Sequence, residues 1–508
     1  MLTGICACRQ NVTEFSSNDL VVESSLPQNS KEMSLLYSSA DSMNPYLAKT
    51  TANRQIATLV YDSLVKTDNN LEAVYCLAES ITIEDKKCTV YLRNTRFTDG
   101  SVLTADDVVY SYKIAKECSV YLHNFYEVVS VSATDLKTVV FTLSQNDPLF
   151  MNLLTFPILK SGTSSVFDSD GKEIPPVGSG RYKIADDGAS LVQNGDYYGE
   201  KGSVKVIRLI NSPDATSTVH YVEVGAVGMY YNDSNNIVRM SAKKAEVNLN
   251  RLVYIGINDS YGSLATKEMR YAISSALGRD EICKTAYYNN AVSATGYFSP
   301  YFKPTKSLQT IESTPNSKIT VENLSKIGYN KMNSNGFYAN ASGNNPVFTL
   351  LVNSENASRV AAANLIAAQC KTAGIQINVV SCTYEQYLTR LSTGSFQLYL
   401  GEVQLLDNMD MTQLVVSGGS AAFGVSDKVA ADEALEENTV LVSPCKSILD
   451  SYHTAQCGIG DVAGTLLTEM PQIPVCFLEG VLFYDSAIQG GVEPSSNDIY
   501  LNFENYEF

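Results

Sequence analysis

Apolar and polar positions along this chain keep two distinct rhythms, and the places where the rhythm changes locate its elements. Cys88, Val90 and Leu92 face one way while Thr89, Tyr91 and Arg93 face the other. Val139, Phe141 and Leu143 alternate with Val140 and Thr142 in the same manner. A period of two predicts half-buried strands in both places. Leu35, Leu36 and Tyr37 form a short apolar strand that runs out into the polar segment Ser38–Ser42, and Asn44-Pro45 then starts a turn. Ile56, Leu59, Val60 and Leu64 recur at helical spacing, which predicts an amphipathic helix over residues 53–65. Thr104-Ala105-Asp106-Asp107 reads as a helix start, a Thr cap with an acid at the third position after it, leading into Val108, Val109 and Tyr112.

Beyond Pro175-Pro176, Gly178 and Gly180 the chain resumes with a strand beginning at Tyr182. The second half alternates strands with helices. Leu252–Asn258 reads as a strand, followed by a helix carrying Met269, Ala272, Ile273, Ala276 and Leu277 on one face. A helix over 355–373 stops at Gly374, a residue that helix ends favour, and leads into the strand of Ile375, Ile377 and Val379. Strand–helix alternation predicts an α/β class. At 508 residues, two such lobes and an inserted meander fit the length.

Composition narrows the function. With 44% hydrophobic and 18% charged residues the chain reads as soluble and globular, and it has no apolar run long enough for a membrane helix. A formal charge of −17, with no Lys/Arg cluster, opposes nucleic-acid phosphates, so no nucleic-acid partner is expected. Three histidines, none spaced as a ligand pair, and nine later cysteines without a Cys-x-x-Cys exclude an evident metal site. Cys88, Cys370 and Cys476 lie in apolar runs and read as buried thiols, while a Cys445–Cys457 disulfide stays open. No Gly-x-Ser-x-Gly is present and no histidine sits in a catalytic motif, so no enzyme and no cofactor are expected. At the N-terminus, Ile5-Cys6-Ala7-Cys8 resembles the lipobox of a bacterial lipoprotein, with Cys8 as the lipidated residue. On that reading residues 1–30 are the tail of a truncated signal and a flexible tether at the outer face of the membrane.

Several stretches in order carry a stronger resemblance: Asp41-Ser42-Met43-Asn44-Pro45; Leu59–Val65; Leu92–Val108, containing Phe97-Thr98-Asp99-Gly100 and Leu103-Thr104-Ala105-Asp106-Asp107-Val108; Pro176–Tyr182; and Arg270–Asp280. Together they resemble the oligopeptide-, dipeptide- and nickel-type solute-binding proteins of ABC importers, over roughly residues 33–480. The resemblance implies a type II periplasmic-binding-protein fold, two lobes joined by hinge strands plus a third, inserted subdomain. Lobe I is expected at 31–55, 171–248 and 476–508, the insertion at 56–170 and lobe II at 249–475. The hallmark residues read as scaffold: Asp99-Gly100 makes a tight turn, and Gly178 and Gly180 let a loop bend. The expected partners are a peptide or other small solute and an ABC permease, with the chain a monomer. A sensor or receptor, or a metal-chelate carrier, is the alternative job for the same fold.

The resemblance also implies a site, in which a peptide lies extended between two backbone segments. The first falls on Ser38, Ser39, Ala40 and Asp41, and the second on Gly401, Glu402, Val403 and Gln404. Peptide binders of the family carry an Asp where this chain has Leu405, and the Trp of their motif is missing from a chain with no tryptophan. Glu402, Asp407 and Asp410 are the candidate replacement carboxylates for a cationic group on the solute. For Asp407 and Asp410 the other reading is solvated loop acids, with Asp410 capping a helix at Thr412. Tyr37 and Tyr399 are candidate cleft-lining aromatics among 31 tyrosines.

Overall fold

The structure, a computed structural model, describes residues 32–232, 243–308, 310–429 and 441–507. Cys8 and the expected tether lie outside the described residues. No helix among the described residues is long and apolar enough to cross a membrane.

Two long antiparallel strands, Lys243–Ile257 and Ile473–Tyr484, form the spine of an eleven-stranded sheet. At one end the spine continues through Met229–Asn232 to Glu32–Tyr37, which lies parallel to Val206–Asn211. At the other end Lys243–Ile257 pairs with Leu398–Gln404, and beyond it lie Val347–Asn353 and Gln376–Cys382, parallel to one another. The helix Ala357–Thr372 makes the crossover between those two strands and ends at Gly374, whose φ of +81° suits a residue without Cβ. Its end agrees with the sequence reading, and Asn356 caps its start by accepting from Arg359 N. Leu252, Val253, Tyr254, Ile255 and Ile257 are all buried, as expected of a strand covered on both faces.

The spine's ladder slips between Asn248 and Arg251. Asn250 takes the left-handed conformation there, φ 49°, which asparagine tolerates better than other side-chain-bearing residues. Asn248 Oδ1 accepts from Asn250 N at 2.9 Å, and Asn250 Nδ2 donates to Leu405 O at 3.2 Å.

A separate four-stranded antiparallel sheet holds the period-two segments, in the order Ala78–Glu84, Lys87–Leu92, Thr138–Leu143, Val128–Ala133. Cys88, Val90, Leu92, Val139, Phe141 and Leu143 are buried, and the helix Ala105–Ala115 packs across their face. Asp107 accepts from Thr104 N at 2.9 Å, closing the N-terminal turn of that helix.

Several expectations need correction. The helix predicted over 53–65 is Thr51–Val60, and Tyr61 is already extended. Leu64 is buried beyond the helix, so its place in the helical spacing was a coincidence of a core position reached by another path. Gly180 does lie in a bend, but bending is not the only demand on Gly178 and Gly180. A Cβ on Gly178 would lie 2.2 Å from Val60 O and one on Gly180 2.5 Å from Leu59 O, so both glycines admit the end of that helix to close contact. Tyr399 is a core residue; its hydroxyl and that of Tyr254 both donate to Ala421 O at 2.9 Å. Cys445 and Cys457 are free thiols, as are Cys88, Cys370 and Cys476, the last three fully buried.

Candidate functional site

Beside the slip in the spine a cleft of about 540 Å³ opens, within the size range of small-ligand sites. One wall is the start of the helix Thr51–Val60, presenting Thr51, Arg54, Gln55 and Thr58, with residues 120–124 and 152–155 beside it. The opposite wall is Arg251 and the run from Glu402 to Asp407, with Gln413, Ser420 and Ala421. Ser496 and Asn497, from the C-terminal segment, complete the floor. That segment is held by buried charge: Lys66 Nζ lies 2.7 Å from Asp498 and 3.6 Å from Asp62, and Thr58 Oγ1 donates to Asp498 at 2.7 Å.

The residues expected from sequence divide between the cleft and its support. Glu402, Val403, Gln404 and Asp407 line the cleft, and so does Leu405. Gly401 is buried in its strand, where a Cβ would meet the Tyr254 ring at 2.7 Å. Ser38, Ser39, Ala40 and Asp41 do not line it. They form a turn whose polar groups are turned inward: Asn53 Oδ1 accepts from Ser38 N at 2.8 Å, Asn211 Oδ1 from Ser39 N at 2.8 Å, and Ser38 O from Asp41 N at 3.2 Å. The Asp41 carboxylate accepts from Thr50 N and Thr50 Oγ1, both at 2.7 Å, and from Lys49 N and Ser42 N. Partial burial works against ionisation of Asp41, but these bonds outweigh it and hold its pKa below the ordinary value. Asp41 therefore fixes the start of the helix that carries Arg54, and the Ser38–Asp41 turn serves the cleft as a platform. Asp410 does not line the cleft either; just before the short helix Thr412–Val415 it accepts from Thr412 N at 2.8 Å and Thr412 Oγ1 at 2.6 Å.

Glu402 does line the cleft, but it is not a carboxylate waiting for a partner. Arg359, on the crossover helix, donates to Glu402 Oε2 from Nη2 at 2.7 Å and from Nε at 3.2 Å. Arg251 Nε stands 3.7 Å from the other oxygen. Burial would lower the Arg359 pKa, yet the Glu402 charge keeps it above its ordinary value. Asp407 has only neutral hydrogen-bond partners, Asn497 Nδ2 at 2.6 Å and Thr67 Oγ1 at 3.0 Å, and burial raises its pKa despite them. Asn152 Nδ2 donates to Asp407 O at 3.0 Å, so contacts from three separate stretches of chain meet at this floor.

Sequence reasoning passed over Arg54, Arg251 and Asn497. Arg54 stands on the polar side of a helix whose apolar side was read, and Arg251 is the first residue of the ladder past the slip. Nothing local marks Asn497, which reaches the cleft only because the C-terminal segment folds back over 430 positions to Thr67.

Comparison with known proteins places this architecture. A profile described as bacterial extracellular solute-binding proteins, family 5, matches residues 72–422. The oligopeptide-binding protein AppA of Bacillus subtilis is 27% identical over 355 residues, which cover 64% of this chain and 64% of that protein. The match thus spans less than two thirds of the relative's length. Among solved structures, an ABC transporter substrate-binding protein from Sinorhizobium meliloti superposes with a TM-score of 0.70 at 18% identity, covering 94% of this chain and 99% of that one. NikZ from Campylobacter jejuni, solved with Ni(L-His), superposes with a TM-score of 0.59 at 17% identity, covering 95% and 100%. At these identities the superpositions carry the fold alone.

Proposed function

We propose, from the premise that this chain belongs to the bacterial extracellular solute-binding proteins of family 5, that it is the extracytoplasmic capture component of an ABC importer. It takes a peptide or peptide-like small solute into the cleft between its two lobes and delivers it to a membrane permease. Proteins of this family carry solutes and do not transform them.

The observation that carries the reading is the placement of the cleft. It lies beside the slip in the spine, with one wall from the helix Thr51–Val60 and its neighbours and the other from the run Glu402–Asp407, so a solute bound there touches both walls at once. Such a site responds to occupancy by closing, which a permease can recognise. In this reading residues 56–170 are the insertion, 249–475 are lobe II, and the rest of the described chain is lobe I. The protein acts as a monomer, and a lipid on Cys8 keeps it at the outer face of the membrane. A metal-chelate carrier would use the same cleft. Its lining has one imidazole, His123, and no described group of three His, Cys, Asp or Glu side chains could hold a metal ion, so a chelate would be gripped through its organic part.

A thermal-shift screen of the purified chain against peptides of two to nine residues, free amino acids, sugars and metal chelates tests this. Peptides are expected to raise Tm in a dose-dependent way, as any ligand that binds only the native state must. A response confined to chelates would move the chain to the alternative job, and a response to none of the four classes would remove the capture reading.

A further inference from the structure

The sequence pointed to a cationic group on the solute, because the cleft carries carboxylates. The structure reverses the sign. Glu402 is occupied by Arg359 and stands between two guanidinium groups, so that corner keeps a surplus positive charge. Asp407 is half-buried, and its carboxylate is taken up at the floor by the neutral donors Asn497 and Thr67. Glu402 has no ion pair left to give. Two arginines of the lining do. The Arg54 guanidinium donates to Thr51 Oγ1 at 3.5 Å, and that is its one side-chain hydrogen bond among the described residues. Arg251 makes only long contacts, 3.4 Å to Gln404 Oε1 and 3.7 Å to Glu402 Oε1. A guanidinium offers five N–H donors in a planar fork that matches a carboxylate, so most of the donor capacity of both residues is unused within the protein.

We infer that the cleft selects a solute bearing a carboxylate, held between Arg54 on one wall and Arg251 on the other. The inference rests on the reading of this cleft as the solute site. The two arginines sit on opposite walls, so a single carboxylate, or two on one small solute, draws the walls together. A cationic solute would meet Arg54 and Arg251 while Glu402, one of the two acids of the lining, is already paired, and desolvating those like charges together on closure is unfavourable. The neutral lining, Asn124, Gln413 and Ser420 among it, is left to hydrogen-bond the amide groups of the solute. The cationic corner stands inside a molecule of net charge −17, so it acts by contact at short range and not by long-range attraction.

The test uses matched probes on the full chain. Tri- to hexapeptides are presented to calorimetry in pairs, each with a free C-terminal carboxylate or a C-terminal amide, and each with Glu or Gln side chains. Citrate and succinate are added as small carboxylates. The wild type is expected to bind the most acidic member of a pair at least about tenfold more tightly than its neutral counterpart, as loss of one partner of a desolvated charge pair dictates. Arg54→Gln and Arg251→Gln are each expected to bring that acid-to-amide ratio toward one, and Arg251→Lys to restore part of it. Equal binding of acid and amide by the wild type overturns the inference while leaving solute capture in place. So does a ratio that survives both Gln variants. Failure to bind any probe, acid or amide, overturns the inference together with the peptide reading on which it rests. The wild-type comparison stands even if a variant folds poorly.

Discussion

Asp147 is an acid whose hydrogen-bond partners are neutral. Asn408 Nδ2 donates to Oδ2 at 2.7 Å and Leu149 N to Oδ1 at 3.0 Å, and the first bond joins the loop after the four-stranded sheet to the segment that follows Asp407. Burial is the main influence and raises its pKa; the two hydrogen bonds oppose that only in part, and the result is a carboxyl pushed up to about 6. The sign follows from proton binding. Between the unfolded value near 4 and the folded value near 6 the native state holds the extra proton, so stability falls as pH rises through that window and then levels off. The ionised group costs the fold about 2 kcal/mol at pH 7 relative to pH 4. Urea unfolding at pH 4.5 and pH 7 should show this decline in the wild type and lose most of it in Asp147→Asn. An unchanged decline in the variant would place its source elsewhere. At this scale the sequence shows a residue's type but not its neighbours. Glu402 was legible as a cleft residue, whereas the arginine that occupies it lies 43 positions away on a helix. Only folding brings the two together.

Elements were more legible, because their signals are local. The alternation at Cys88–Leu92 and Val139–Leu143, the start at Thr104 and the stop at Gly374 all reflect one strand face or one helix end, and each is where periodicity and capping put it. What escaped is pairing across long separations. The slip in the spine depends on Lys243–Ile257 meeting a strand more than two hundred residues later, and no local pattern announces it. The glycines at 178 and 180 were legible as glycines but not as the seat of a helix end. The slip itself makes a prediction. Asn250 supplies both a tolerated left-handed backbone and a side-chain bond to Leu405 O. Asn250→Ala loses both and should destabilise the protein by about 2 kcal/mol. Asn250→Gly keeps the backbone freedom and loses only the bond, so its cost should be nearer 1 kcal/mol. Thermal or urea unfolding of the pair checks the order. If Gly is as costly as Ala, the side-chain bond and not the backbone is what Asn250 contributes.

At the scale of the whole molecule, the walls of the cleft already touch at its floor through Asn497, Thr67 and Asn152 on one side and Asp407 on the other. Asn69 Oδ1 accepts from Asn248 N beside the slip at 2.8 Å, and Lys303 Nζ reaches Glu72 across the outer edge at 3.0 Å. These bonds sit beside the slip in the spine, and the expectation is that they act as a pivot: the walls above approach one another while the floor stays paired, with the hinge at strand residues near 248–251. A compact chain of this length has a radius of gyration of about 23 Å, and an open two-lobed form exceeds it. Small-angle scattering of the ligand-free protein should therefore give a value above that of the compact body, and a saturating ligand found in the screen should contract it. Asn497→Ala removes the donor that ties the C-terminal segment to Asp407, so the floor should loosen and the ligand-free form should scatter as a more expanded body. Its ligand-bound form should return close to the wild-type dimension, because solute contacts with both walls replace the missing bond. Absence of any contraction with a ligand that calorimetry shows to bind would mean that the cleft accepts its solute without closing, and the pivot would then be a fixed brace between the lobes.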